Sequence, residues 1–105
     1  MQTLTISFLI LAGSVMGFAA DAEAGKAVYM KACRGCHGAD GTPNAGIAKS
    51  QGVTMKHLGD PDVQKTSDAD LKKAIVEGFG KMKPVKSVTP SQADDVVAFM
   101  RTLKK

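Results

Sequence analysis

The sequence predicts an all-α fold of three main helices and one long irregular loop, and three observations lead there. Apolar residues recur at i, i+3 and i+4 spacing in three segments, and no stretch alternates convincingly at a period of two. The second and third of those segments open on capping sequences. Between the first and second, Gly38 to Thr66 is rich in Gly, Asn, Asp and Pro, and its apolar residues Ile47, Val53, Met55 and Leu58 keep no firm period. A loop of that length in a compact domain is functional or wraps something.

Ahead of these elements stands a composition boundary. Residues 1–20, MQTLTISFLILAGSVMGFAA, carry no charged side chain, and every Lys, Arg, Asp and Glu lies at or after Asp21. The apolar run from Leu4 to Phe18 followed by small residues predicts a secretory signal peptide. Cleavage after Ala19 and after Ala22 both satisfy the small-x-small rule. The run lacks a Lys or Arg before it, and its length is at the lower edge of a membrane anchor; the small-residue tail favours removal. The domain expected is residues 21–105, exported to the periplasm. A core of that size supplies only a few kcal/mol and needs a staple.

The first helix is expected over about Asp21 to Ala32, with Ala24, Ala27, Val28 and Ala32 on a weak apolar face. Gly25 inside it costs ~1 kcal/mol relative to Ala, which makes sense where another backbone or side chain presses close. Within the loop, short helical pieces fit around Ala45–Ser50 or Thr54–Leu58. The second helix takes Ser67 as N-cap and Asp70 three residues on, buries Leu71, Ala74 and Ile75, and ends at Gly78. The third opens on Thr89-Pro90-Ser91-Gln92, a capping box with proline at its first turn. Asp94 and Asp95 near its start and Arg101, Lys104 and Lys105 at its end suit the macrodipole. Ala93, Val96, Val97, Met100 and Leu103 form its buried stripe.

Both cysteines of the chain and one of its two histidines fall in Cys33-Arg34-Gly35-Cys36-His37. A dithiol redox centre expects a strand-to-helix junction, which is missing. A structural zinc would need Cys33, Cys36, His37 and His57 together, yet adjacent residues seldom aim at one tetrahedral ion. C-x-x-C-H is the attachment signature of c-type haem, which uses every residue of the run. Cys33 and Cys36 would form the two thioethers, one helical turn would bring both to one ring edge, and His37 would lie beneath the iron. A covalent haem is also the missing staple.

What fills the sixth iron position decides between electron transfer and binding or catalysis. The candidates are Met55, His57, Met82 and Met100. Met100 sits on the apolar stripe of the last helix, Met55 is expected as a gap-filler, and His57 as an exposed loop residue. Met82, in Gly78-Phe79-Gly80-Lys81-Met82-Lys83-Pro84, must bury its thioether while its neighbouring lysines stay wet, and axial ligation does that.

With these residues in view, the chain resembles the small bacterial monohaem class I c-type cytochromes. The resemblance rests on GKAVYMKACRGCHGADG at 25–41, DADLKKAIVEGFGKMKPV at 68–85 and TPSQADDVVAFMRTLKK at 89–105, and covers essentially all of residues 21–105. It implies the cytochrome c fold around one covalent haem, with Gly25 and Tyr29 meeting Phe99 where the terminal helices cross. One departure is Lys83, which intervenes between Met82 and Pro84, where the family often has proline directly after the methionine. The resemblance also implies a loop carbonyl, with Pro43 as candidate, accepting the Nδ1–H of His37.

The function implied is a one-electron carrier, not an enzyme, with His37 and Met82 as axial ligands. Arg34, Lys72, Lys73, Lys81, Lys83 and Lys86 would ring the haem edge and steer acidic redox partners. The net charge of +4 fits anionic partners. Nucleic acid is not expected of an exported chain with no Trp and one Tyr. A monomer is expected, touching membranes only through partner complexes. The rivals are a haem sensor or peroxidase-like enzyme with an open sixth site, with His57 as the distal acid–base candidate, and a fixed subunit of a larger oxidoreductase.

Overall fold

A computed structural model describes residues 19–105; the expected signal segment at 1–18 lies outside the described residues. Six helical segments follow one another: α1 (Ala22–Ala32), α2 (Arg34–His37), α3 (Ala45–Gln51), α4 (Pro61–Gln64), α5 (Asp68–Glu77) and α6 (Pro90–Arg101). Among the described residues there is no strand, only an isolated bridge between Phe79 and Met82. None of the described helices is long and apolar enough to cross a membrane.

The three main helices begin where their capping residues place them. Asp21 caps α1 by accepting the N–H groups of Glu23 and Ala24 at 2.9 and 3.2 Å. Ser67 caps α5 by accepting the Asp70 N–H at 3.2 Å. At α6 the box is reciprocal: Thr89 accepts the Gln92 N–H at 3.2 Å, and Gln92 accepts the Thr89 N–H at 2.9 Å. Two otherwise orphaned donors are thereby satisfied.

The core is a single apolar cluster in which α1 packs across α6 and α5 lies against α6. Ala93, Val96, Val97 and Met100 are buried as their spacing predicts, and Phe99 joins them. At the crossing the Tyr29 and Phe99 rings stand 4.9 Å apart, tilted by 54°. Gly25 is also at the crossing, but what it meets is backbone: a Cβ there would run into the Asp95 carbonyl and the Val96 nitrogen rather than Phe99.

The stretch after Gly38 holds a short helix where one was expected, α3 against Ala45–Ser50, while the other candidate, Thr54–Leu58, is not helical and a second short helix, α4, follows it. Asn44 caps α3 by accepting the Ile47 N–H at 3.1 Å, and Gly52, in the left-handed region at φ 65°, closes it. Pro61 at the first turn of α4 follows Asp60, a pairing that starts helices because proline's missing N–H is one the helix does not use there. The C-terminal tail fastens this region from below. The Lys105 N–H donates to the Gly59 carbonyl at 3.0 Å, and Gln64 Nε2 donates to the carbonyls of Leu58 and Met100 at 2.9 and 3.1 Å.

Candidate functional site: a thiol pair, an imidazole and a thioether

Residues 33–37 form one tight helical turn directly after α1. The N–H groups of Cys36 and His37 both donate to the Cys33 carbonyl, at 3.3 and 3.0 Å, and the Gly38 N–H donates to Arg34 at 2.8 Å. A turn of this kind brings positions i and i+3 to one side. Both sulfurs are free thiols, Cys33 buried and Cys36 exposed. Burial pushes the Cys33 thiol up to about 11, with the neighbouring Cys36 adding to the shift, so Cys33 is protonated at neutral pH.

Burial lowers the pKa of His37, which keeps its imidazole neutral and able to donate a ring lone pair to a metal. Its Nδ1 is a buried side-chain polar atom with no hydrogen-bond partner. The Pro43 carbonyl expected there does not reach it; the loop spends its nearby hydrogen bond elsewhere, from the Asn44 N–H to the Cys36 carbonyl at 2.9 Å. An unpartnered buried polar atom costs free energy.

One glycine and one tyrosine hold the turn after His37. Gly38 has φ 72°, and a Cβ there would collide with the Thr42 carbonyl. Tyr29, which is 1% exposed, reaches from α1 and donates its hydroxyl proton to the Gly38 carbonyl at 2.6 Å. Its pKa is raised to about 12, chiefly by burial and then by the nearby Cys33. Tyr29 is the chain's sole tyrosine and lies on the helix that leads into the cysteine run, where an aromatic side chain reads as core.

Met82 comes from the other end of α5. Gly78 ends that helix at φ 86°, and Phe79 and Met82 exchange two backbone hydrogen bonds of 2.9 Å each across Gly80 and Lys81. Positive φ at Gly80 (55°) with none at Lys81 is the pattern of a tight type II′ turn. Met82 is half-buried and packs against the cluster that contains Cys33, Leu71 and Ile75, while Lys81 and Lys83 on either side are exposed. Met100 is core, as its spacing predicts. His57 is half-buried, and its Nδ1 accepts the Gly59 N–H at 2.8 Å, so this ring is engaged in shaping its own loop.

The basic residues divide into two groups. Lys72 pairs with Asp94 at 3.1 Å and Lys73 lies 3.9 Å from Glu77. Arg34, Lys81, Lys83 and Lys86 are exposed and make no ion pair among the described residues. Of the six cations expected to ring the site, four are unpaired among the described residues and two have a carboxylate within 4 Å.

Two free thiols one turn apart, a neutral imidazole beside them and a thioether against the same apolar cluster fit a covalently attached haem. The comparisons agree with that donor set. The family model described as cytochrome c matches residues 22–104. Among solved structures, the KustC0563 c-type cytochrome superposes with a TM-score of 0.66 at 33% identity, covering 77% of this chain and 98% of that one. No curated protein matches the chain.

Proposed function

The chain belongs to the cytochrome c family, a family of haem-based electron carriers, and from that premise we propose that it is a soluble one-electron carrier holding one haem c. Cys33 and Cys36 would be the attachment residues, and His37 and Met82 the axial ligands. The observation that carries the proposal is the single helical turn presenting two unbonded sulfurs beside a neutral imidazole.

A bound haem supplies a one-electron couple at its iron, and an imidazole with a thioether favours the reduced form. The protein's contribution is rigidity. Tyr29 and the left-handed Gly38 fix the backbone behind His37, and the two 2.9 Å hydrogen bonds of the Phe79–Met82 turn fix the backbone that carries the thioether. Ligands held from both sides alter little between oxidation states, so little reorganisation accompanies transfer. The apolar cluster keeps water from the buried side of the site.

Arg34, Lys81, Lys83 and Lys86 would steer acidic redox partners toward this face. The uncharged segment at 1–20 and the small residues at its end support export and signal removal, which would place a monomeric domain in the periplasm.

The test is covalent attachment. Protein exported by cells with a haem-attachment system is denatured and separated by size, and haem is stained in the gel. One equivalent of haem should travel with the chain, and C33S/C36S should release it. A wild-type chain that keeps no haem under denaturing conditions overturns the proposal.

A further inference from the structure

The loop that carries Met82 leaves α5 at Gly78 and returns to it at Val85, whose N–H donates to the Ile75 carbonyl at 2.9 Å. A longer α5 would have given that carbonyl to the N–H of Phe79, four residues on; here Phe79 donates to Met82 instead. Residues 79–84 make no backbone hydrogen bond to any residue outside the stretch. Lys81 and Lys83 make no ion pair among the described residues. Apart from the packing of Met82 itself, the loop is held at its base. Two residues meet there. Gly78 has φ 86°, and a Cβ on it would lie 2.8 Å from the Met82 carbonyl oxygen and 2.9 Å from Pro84 Cδ. That same carbonyl is the one that accepts the Phe79 N–H. With Lys83 between Met82 and Pro84, the proline ring falls against Gly78, one residue before the bond that closes the loop.

We infer that Gly78 and Pro84 are positioning residues that latch the base of this loop, and that the latch sets how readily the Met82 thioether gives way to an external ligand. The inference rests on reading Met82 as the sixth ligand and adds what governs its exchange. A thioether is a weak neutral donor, so its hold depends on the backbone that delivers it. For it to leave, the loop must open locally, parting Val85 from Ile75 and Pro84 from Gly78. Opening is favoured by the backbone freedom that residues 79–84 regain. Pro84 limits that gain, because its φ stays fixed in the open loop as in the closed one. Gly78 acts on the closed loop, where it takes a positive φ at no steric cost. A side chain there would strain the closed loop, press on the Met82 carbonyl and leave the open loop untouched. Both residues therefore bias opening without altering the thioether.

The test is titration of the haem-loaded ferric protein with imidazole, followed through the far-red absorption band of a thioether-bound haem, for wild type, P84A, G78A, M82A and R101K. P84A should bind imidazole about fivefold more tightly than wild type, and G78A about tenfold more tightly. R101K loosens the fold at the far end of α5, so its affinity should stay within about twofold of wild type. Wild-type affinity in P84A overturns the inference, whatever G78A does. A gain in R101K equal to that of P84A also overturns it, because general loosening would then explain both. The band itself reports on the reading beneath. Missing from wild type as from M82A, it takes Met82 off the iron and the latch falls with it. Present in wild type and lost in M82A, it upholds the ligand and leaves P84A to decide the latch alone.

Discussion

The hydroxyl of Tyr29 donates to the carbonyl of Gly38 at 2.6 Å, tying the crossing of α1 and α6 to the residue that follows the candidate proximal histidine. The same ring packs on Phe99. One side chain therefore joins the core to the site. Y29F keeps the ring but strips the Gly38 carbonyl of its donor, and should cost about 1–2 kcal/mol in urea unfolding.

The same residue sets a pH dependence. Its folded-state pKa, about 12, stands above the ordinary value of 10. The folded protein thus holds this proton more tightly than the unfolded chain does. The stability gained is fully present below pH 10 and is lost as pH rises from about 10 to 12, by about 2–3 kcal/mol in all. Unfolding free energies measured across that window should fall more steeply for wild type than for Y29F. Parallel curves would show that Tyr29 does not titrate in this way.

Gly25 and Asp95 make the second fixed point of the crossing. A Cβ on Gly25 would fall into the Asp95 carbonyl, and the Asp95 carboxylate already receives the Asp21 N–H at 2.8 Å. G25A improves helix propensity by ~1 kcal/mol but must push two backbones apart, at a cost of about 3 kcal/mol. The net effect should lower the Tm by on the order of 10 °C. A calorimetric Tm equal to or above wild type would mean that the helices do not approach this closely.

Arg101 is a staple rather than a simple dipole partner. Its Nε and Nη2 donate to Asp68 at 3.0 and 2.7 Å, Nη1 to the Gln64 carbonyl at 2.9 Å, and Nη2 to the Thr66 carbonyl at 2.7 Å. Only a planar fork serves these acceptors together. R101K keeps the charge and should still lose about 1–2 kcal/mol in urea unfolding, because two half-buried carbonyls lose their donor.

The main helices were legible because their signals are local. Thr89 to Gln92, and Ser67 with Asp70, carry their caps within four residues, and the stripe from Ala93 to Met100 shows its period directly. Of the two short helices, α3 was in view as the piece at Ala45–Ser50 and α4 was not. Asn44 with Gly52 marks α3, and Asp60 with Pro61 marks α4, but neither segment has an apolar face long enough to give a period. Tertiary contacts left no local trace at all. Gly59 receiving Lys105, Arg101 reaching Gln64, and Gly25 meeting Asp95 instead of Phe99 join residues far apart in the chain. At the site, the cysteine run and Met82 stood out by residue type and spacing. The role of the Tyr29 hydroxyl did not, because an aromatic on an apolar face reads as core. Nor did the unpartnered Nδ1 of His37, which depends on where the Pro43 carbonyl points.

The central claim is that Met82 closes the sixth iron position. The most direct measurement is the absorption spectrum of the reduced, exported protein before and after carbon monoxide is added, with M82A alongside. The account predicts a c-type haem spectrum that carbon monoxide leaves unchanged in wild type and shifts promptly in M82A. A prompt shift in wild type would contradict it, and the chain would then belong among haem proteins that bind ligands at an open site.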